Sequence, residues 1–272
     1  MSTPSSTDTP FPGPFTAIAM TAVAWGTFHY WSQITQGRLG VLASLAFSAL
    51  VAYGLVGALA LPQVPRPWAK RLGMAPLAPR HVAHVVLLLA AFAVGLELQA
   101  AVRFAAGRPG GVGLYTLSRG LITTESTWGI VVVFVILIPV VTEWFFRGVV
   151  QQGLVARLGP TRGLLMTAAL TASLHAGPRE DPAVWIAVVL SAGWWALVAG
   201  ALRLTTGSLL APILVHAGWN AMWVVAVLTA DSAPIPALTA QGASLPIFIL
   251  VPAVVAVAAG AVLLWRDWRS LD

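Results

Sequence analysis

The sequence predicts an all-α polytopic membrane protein with about eight transmembrane helices in one bundle. Three observations carry that expectation. Hydrophobic residues make up 58 % of the 272 positions and charged residues only 9 %, which is too apolar for a water-soluble chain of this length. Several apolar runs exceed the roughly 18 residues that signal a spanning helix. Those runs are continuous rather than alternating, which argues against a transmembrane barrel. Helices then remain as the way to satisfy backbone polar groups in lipid.

The runs lie near 14–34, 40–61, 82–103, 127–150, 163–177, 184–203, 207–229 and 245–265. Residues 1–13 are rich in Ser, Thr and Pro and read as a disordered lead-in. They lack the basic stretch of a cleaved signal peptide. Between the second and third runs, PQVPRPWAKRLGMAPLAPR (62–80) is a Pro-rich basic loop. After the fourth, QQGLVARLGP (151–160) reads as a short interfacial helix that stops at Gly159 and Pro160. The fifth run is the weakest, because Gly177 and Pro178 cut it short. No internal repeat and no second soluble domain is evident, so residues 14–272 are expected to form one transmembrane domain.

The net charge of +6 does not point to nucleic acid. Arginines in the loops account for it, and loop arginines orient helices. Arg66, Lys70, Arg71, Arg80, Arg157, Arg162, Arg203, Arg266 and Arg269 fall on one side of the expected topology. Arg38, Arg103, Arg108, Arg119 and Arg179 fall on the other. The excess favours both termini in the cytoplasm. Cysteine is absent, which removes disulfides, thiolate chemistry and cysteine-type zinc sites together.

Chemistry is carried by a few polar residues inside these runs. Glu143 and Arg147 lie four apart in GIVVVFVILIPVVTEWFFRGVV and share one helix face, acid before base. An ionisable group at bilayer depth costs about 2.5–3.5 kcal/mol, so such residues usually mark a function or its scaffold. His175 sits in LLMTAALTASLHAG, and His216 and Asn220, again four apart, in LLAPILVHAGWNAM. At 1.5 Å rise per residue, Glu143 and His216 each lie roughly 14 Å from one common side and His175 about 18 Å, so all three are expected at mid-membrane. A carboxylate and a neutral imidazole can hold a water and remove its proton. A second imidazole and an amide can donate to an oxyanion. Arg147 stays protonated and suits a supporting role that neutralises and orients the carboxylate. The set fits attack of water on an amide carbonyl.

PVVTEWFFRGVVQQGL, SLHAG and GSLLAPILVHAGWNAM resemble the three motifs of the CPBP (CAAX protease and bacteriocin-processing, or Abi) intramembrane proteases. The resemblance covers roughly 135–225, in the family's order and spacing. It implies an eight-helix, glutamate-dependent endopeptidase that cuts near the C-terminal anchor of a membrane-bound protein or peptide, with no cofactor. The family's range includes prenyl-protein processing, bacteriocin maturation and myxosortase-like protein sorting; with Lys70 the only lysine among the basic residues, the chain reads as coming from a GC-rich, bacterial genome, which favours an inner-membrane setting and tag removal or peptide processing over CAAX processing. By this resemblance Glu143, His175, His216 and Asn220 are the catalytic residues, with Arg147 in support. Two positions depart from the pattern. Thr142 stands where a first glutamate is usual, and Thr171 stands where a phenylalanine is usual. Glu143 is therefore expected to take the base role, with Glu97 in the third run as the other deeply placed acid.

Other readings are set against this one. Glu143 and Arg147 can be a packing pair, since polar residues also join transmembrane helices. Thr142 fits a catalytically impaired relative that acts in membrane binding, immunity or as a scaffold. A transporter would show repeats or broken helices in matched halves, and neither is present. A zinc protease using His175, His216 and Glu143 lacks the H-E-x-x-H pairing. His29, His81 and His84, near the ends of runs, are expected at the interface, and the tryptophans are expected to anchor or pack.

Overall fold

The computed structural model describes residues 10–107, 124–175, 181–229, 232 and 244–269. Its long helices are α1 (Pro14–Leu39), α2 (Val41–Gln63), α3 (Pro79–Ala105), α4 (Thr127–Leu158), α5 (Pro160–Ser173), α6 (Pro182–Thr206), α7 (Leu210–Leu228) and α8 (Ile247–Trp268). Among the described residues there is no strand. Six of these helices, α2, α3, α4, α6, α7 and α8, are long and apolar enough to cross a membrane. The expected count of eight is not met on those grounds. α1 has the length but carries His29, Gln33, Gln36 and Arg38, and α5 has only 14 residues.

α4 is the central helix and packs against α2, α5, α6 and α7. One apolar cluster joins α1, α2 and α4 through Ala24, Tyr53, Phe145, Phe146 and Val149. A second joins α3, α6, α7 and α8 through Leu88, Phe92, Leu202, Val215 and Trp219. The polar residues of interest lie along the seam between them. Large apolar residues remain exposed on the outer faces, including Ile247, Phe248, Val251 and Val255 of α8. In a membrane these faces meet lipid, where exposure carries no hydrophobic cost.

Both ends of the described chain lie at one face of the bundle. Arg157 Nε, near the end of α4, donates to the Pro10 carbonyl at 2.8 Å, and Gln152 Nε2 donates to the Phe11 carbonyl. At the other end, Asp267 lies 3.0 Å from His84 and 3.6 Å from His81, at the start of α3. The loop between α2 and α3 is tied to the same face, with Leu209 N–H donating to the Gly73 carbonyl at 2.7 Å and Ser208 Oγ to the Ala75 carbonyl at 2.7 Å.

Two local expectations change. Residues 151–158 are not a separate interfacial helix but the last turns of α4, because Gln151 and Gln152 find partners inside the bundle. Residues 10–13, read as part of a disordered lead-in, are docked: Gly153 lets the Phe11–Pro12 backbone lie directly on α4, where a Cβ would collide. Residues 1–9 lie outside the described residues, as do Gly177 and Pro178. His81 and His84 lie in the first turns of α3 and are buried, with Asp267 of α8 beside them.

Candidate active site

The site begins with the local shape of α4. Its helix widens to π-type turns over Val131–Leu137 and Trp144–Val150, with an α-helical segment, Ile138–Glu143, between them. Such insertions recur at functional positions. In the first widened stretch, the Ile138 N–H donates to the Val133 carbonyl instead of to Phe134. The next residue, Pro139, has no N–H to give. The Phe134 carbonyl is thus left without a donor from its own helix. Asn220 of α7 supplies one, with Nδ2 2.7 Å from Phe134 O. An orphaned backbone acceptor and a side-chain amide therefore pin α7 to α4 beside the acid.

One turn earlier on α7, His216 Nδ1 lies 2.8 Å from Glu143 Oε1. Arg147 Nη1 donates to the same oxygen at 3.4 Å, and Arg147 Nε lies 3.2 Å from Oε2. Arg147 Nη2 donates to the Ala196 carbonyl of α6 at 2.9 Å. Glu143 and Arg147 are each only 2 % exposed, whereas the His216 side chain is 25 % exposed. A carboxylate at Nδ1 fixes the proton there and leaves Nε2 as the acceptor of the neutral ring. Of this trio, the imidazole is the member that reaches open space.

The stripe continues. Gln151, four residues past Arg147, donates from Nε2 to the Gly200 carbonyl at 2.9 Å. Arg147 to Ala196 and Gln151 to Gly200 form a two-rung ladder in step on α4 and α6. Glycine at position 200 permits it, since a Cβ there would meet Leu164 Cδ1 at 2.5 Å and Gln151 Oε1 at 3.2 Å.

The remaining residues fall as follows. Thr142 turns away into its own helix, donating to the Ile138 carbonyl at 2.7 Å. Glu97 Oε2 accepts the Leu245 N–H at 2.9 Å, two residues before α8 begins, and so ties α3 to the segment that leads into α8. Trp144 packs on Gly57, where a Cβ would collide with its ring. Trp219 donates from Nε1 to the Leu89 carbonyl at 3.1 Å, so both motif tryptophans hold helices together. His175 differs from expectation. It follows the end of α5, on an exposed turn, and is not buried as Glu143 and Arg147 are. The structure thus brings Glu143, Arg147 and His216 into direct contact, sets Asn220 one turn along α7, and leaves His175 at the margin. Gln151 was missed in the sequence, although its spacing of four from Arg147 was a visible signal. Among the described residues, no three His, Asp or Glu side chains converge as a metal site.

Residues 124–222 match the protein-family model described as type II CAAX prenyl endopeptidase Rce1-like. The motif core is thus similar to the Rce1-like CAAX proteases of the CPBP type. The Rce1-like segment begins just before α4 and ends within α7, so it contains Glu143, Arg147, His175, His216 and Asn220. No curated protein and no solved structure matched the chain. An Rce1-like segment on a scaffold of several apolar helices supports a multi-pass membrane protein with protease activity.

Proposed function

We propose that this protein is an intramembrane endopeptidase that hydrolyses a peptide bond near the C-terminal anchor of a membrane-associated protein or peptide, using water activated at the Glu143–His216 pair. The observation that carries the reading is the 2.8 Å contact between Glu143 and His216, inside the Rce1-like segment and at the junction of α4 and α7. The sequence alone gave the base role to Glu143. Its burial and its engagement by Arg147 and His216 favour a division of labour instead. His216 Nε2 takes the proton from water as it attacks the carbonyl carbon. Glu143 holds the Nδ1–H and stabilises the imidazolium that forms, as in other base-and-orienter pairs. Arg147 positions the carboxylate. The second amide hydrogen of Asn220 serves the oxyanion. The proton on His216 then passes to the departing amine as the carbon–nitrogen bond breaks.

The face that holds both chain ends carries Arg66, Lys70, Arg71, Arg157, Arg203 and Arg266, which supports a cytoplasmic assignment under the positive-inside rule. The substrates then present a cytoplasmic or membrane-embedded C-terminal segment. The test is reconstitution of the purified chain with candidate anchored proteins, with the cut mapped by mass spectrometry. His216→Ala should lower the rate by about 10²–10⁴-fold, the usual worth of general-base catalysis. Equal cleavage by the unmodified and His216→Ala proteins would remove the assignment.

A further inference from the structure

A cavity of about 450 Å³ opens at the face that carries the chain ends, between the α2–α3 loop and the ends of α4 and α6. Its charged lining is cationic throughout: Lys70, Arg71, Arg147 and Arg203, with no carboxylate. Arg147 is balanced by Glu143. Among the described residues, Lys70, Arg71 and Arg203 have no ion-pair partner. Lys70 and Arg71 are exposed, whereas Arg203 is 9 % exposed and its Nε is buried without a hydrogen-bond partner. A buried guanidinium without a counter-charge is costly, and an anion seated beside it offsets that cost.

These three cations are held together by the fold. Arg203 Nη2 donates to the carbonyl of Arg71 itself at 3.0 Å, so the buried charge and the exposed pair share one spot. Gly73, at φ +71°, lies against the guanidinium so closely that a Cβ would meet Nε at 2.6 Å. The loop is fixed as well, with Gly73 N–H donating to the Lys70 carbonyl at 3.2 Å and Met74 N–H to the Ala69 carbonyl at 2.8 Å. Like charges gathered on a rigid frame have already met the ordering cost of receiving an anion.

The cavity also lies at the depth of lipid headgroups. α4 has 32 residues and is about 48 Å long, whereas the hydrocarbon core is about 30 Å thick. Its apolar stretch, residues 129–150, spans about 33 Å and fills that core. Gln151 to Ala156, which line the cavity, therefore project into the headgroup layer. Trp68 marks the same level from the loop, with Arg66 Cζ 5.0 Å from its ring centroid, as interfacial tryptophans do.

We propose that this cavity binds the phosphodiester of an anionic phospholipid, whose oxygens are shared by the buried Arg203 and the exposed Lys70 and Arg71. Basic pockets between transmembrane helices on the cytoplasmic side suit such headgroups. A phosphoglycerol headgroup brings negative charge alone, whereas choline and ethanolamine headgroups add an ammonium that this lining repels. The apolar lining is short, so the acyl chains stay outside the cavity, in the bilayer. Lipid capture here is independent of the Glu143–His216 pair, neither member of which lines the cavity.

The test is binding of defined lipids to the purified full-length chain in neutral detergent, read by native mass spectrometry and by thermal unfolding. Phosphatidylglycerol should bind saturably and at least about tenfold more tightly than phosphatidylcholine or phosphatidylethanolamine with the same acyl chains, and the preference should shrink with added salt. Lys70→Gln and Arg71→Gln, exposed changes that leave packing intact, should each weaken it about fivefold, the usual worth of one basic residue at an anionic surface. Arg203→Gln should remove it. Arg266→Gln, an exposed change on the same face but outside the cavity, should leave it unaltered. If Arg203→Gln fails to fold, the Lys70 and Arg71 variants set against Arg266→Gln still decide. Equal binding of phosphatidylglycerol and phosphatidylcholine would overturn the proposal. So would equal losses from Lys70→Gln and Arg266→Gln, which would leave only a general surface attraction. Displacement of phosphatidylglycerol by inorganic phosphate at equal concentration would assign the cavity to a soluble phosphate and overturn the lipid as its ligand.

Discussion

Glu143→Gln separates what the carboxylate does for the fold from what it does for chemistry. The change keeps the shape of the side chain and removes its charge. Arg147, 2 % exposed and 3.2 Å from the lost charge, is then left buried with only neutral acceptors, the Ala196 carbonyl and the new amide oxygen. Breaking a buried pair by removing one partner costs about 3–5 kcal/mol, because the other charge stays uncompensated. The single variant should therefore be measurably less stable in detergent, as well as slower by about 10²–10⁴-fold in cleavage. Adding Arg147→Met removes the orphaned charge. The double variant should recover most of the stability, since replacing a buried pair by apolar groups is often neutral, and should recover little activity. Thermal unfolding and single-turnover cleavage on all four proteins complete a double-mutant cycle. If the double variant cleaves as well as the unmodified chain, the carboxylate is only a packing element. If Glu143→Gln alone leaves stability unchanged, the pair is not the buried one described.

Three further outcomes follow from the same geometry. Asn220→Ala should cost about 1–3 kcal/mol, the penalty for leaving the Phe134 carbonyl unpaired. It should cost less in a Pro139→Ala background, where residue 139 regains an N–H, and thermal unfolding of the three variants tests this. Glu97→Gln should leave single-turnover cleavage within a few-fold of normal, because Glu97 holds the Leu245 N–H ahead of α8; a loss beyond 100-fold would place the base in α3. Gly200→Leu should jam Leu164 and Gln151 and lower stability by several kcal/mol through overpacking, read by the same unfolding assay.

The fold class and the Glu143–His216 pair were legible because lipid makes polar residues conspicuous: an acid, a base and an imidazole stand out in runs of valine and isoleucine. What was not legible depended on neighbours. Residues 151–158 looked interfacial because two glutamines and an arginine break the apolar run. Gln151 instead finds the Gly200 carbonyl, and Gln152 finds the Phe11 carbonyl, so the helix simply continues. The partner of Asn220 could not be read, because it follows from a shift in the helix hydrogen-bond frame just before Pro139. His175 was expected within a helix because hydropathy carries the fifth run to residue 177. The helix stops at Ser173, where Thr171 and Ser173 turn their hydroxyls back onto backbone carbonyls. Glu97 was weighed as a possible base on depth alone, and its role became plain only when the start of α8 was found against it.

The two-rung ladder between α4 and α6 also bears on how the chain is made. α4 leaves the ribosome before either α6 or α7, so Ala196, Gly200 and His216 do not yet exist when its polar stripe must enter lipid. During that interval Glu143 and Arg147 have only each other, one turn apart on a single helix. Their spacing lets them neutralise one another in transit. The same residues later exchange part of that contact for the Ala196 carbonyl and the His216 ring. The arrangement that aims the imidazole in the finished bundle thus also carries two charges across the translocation machinery as one neutral unit.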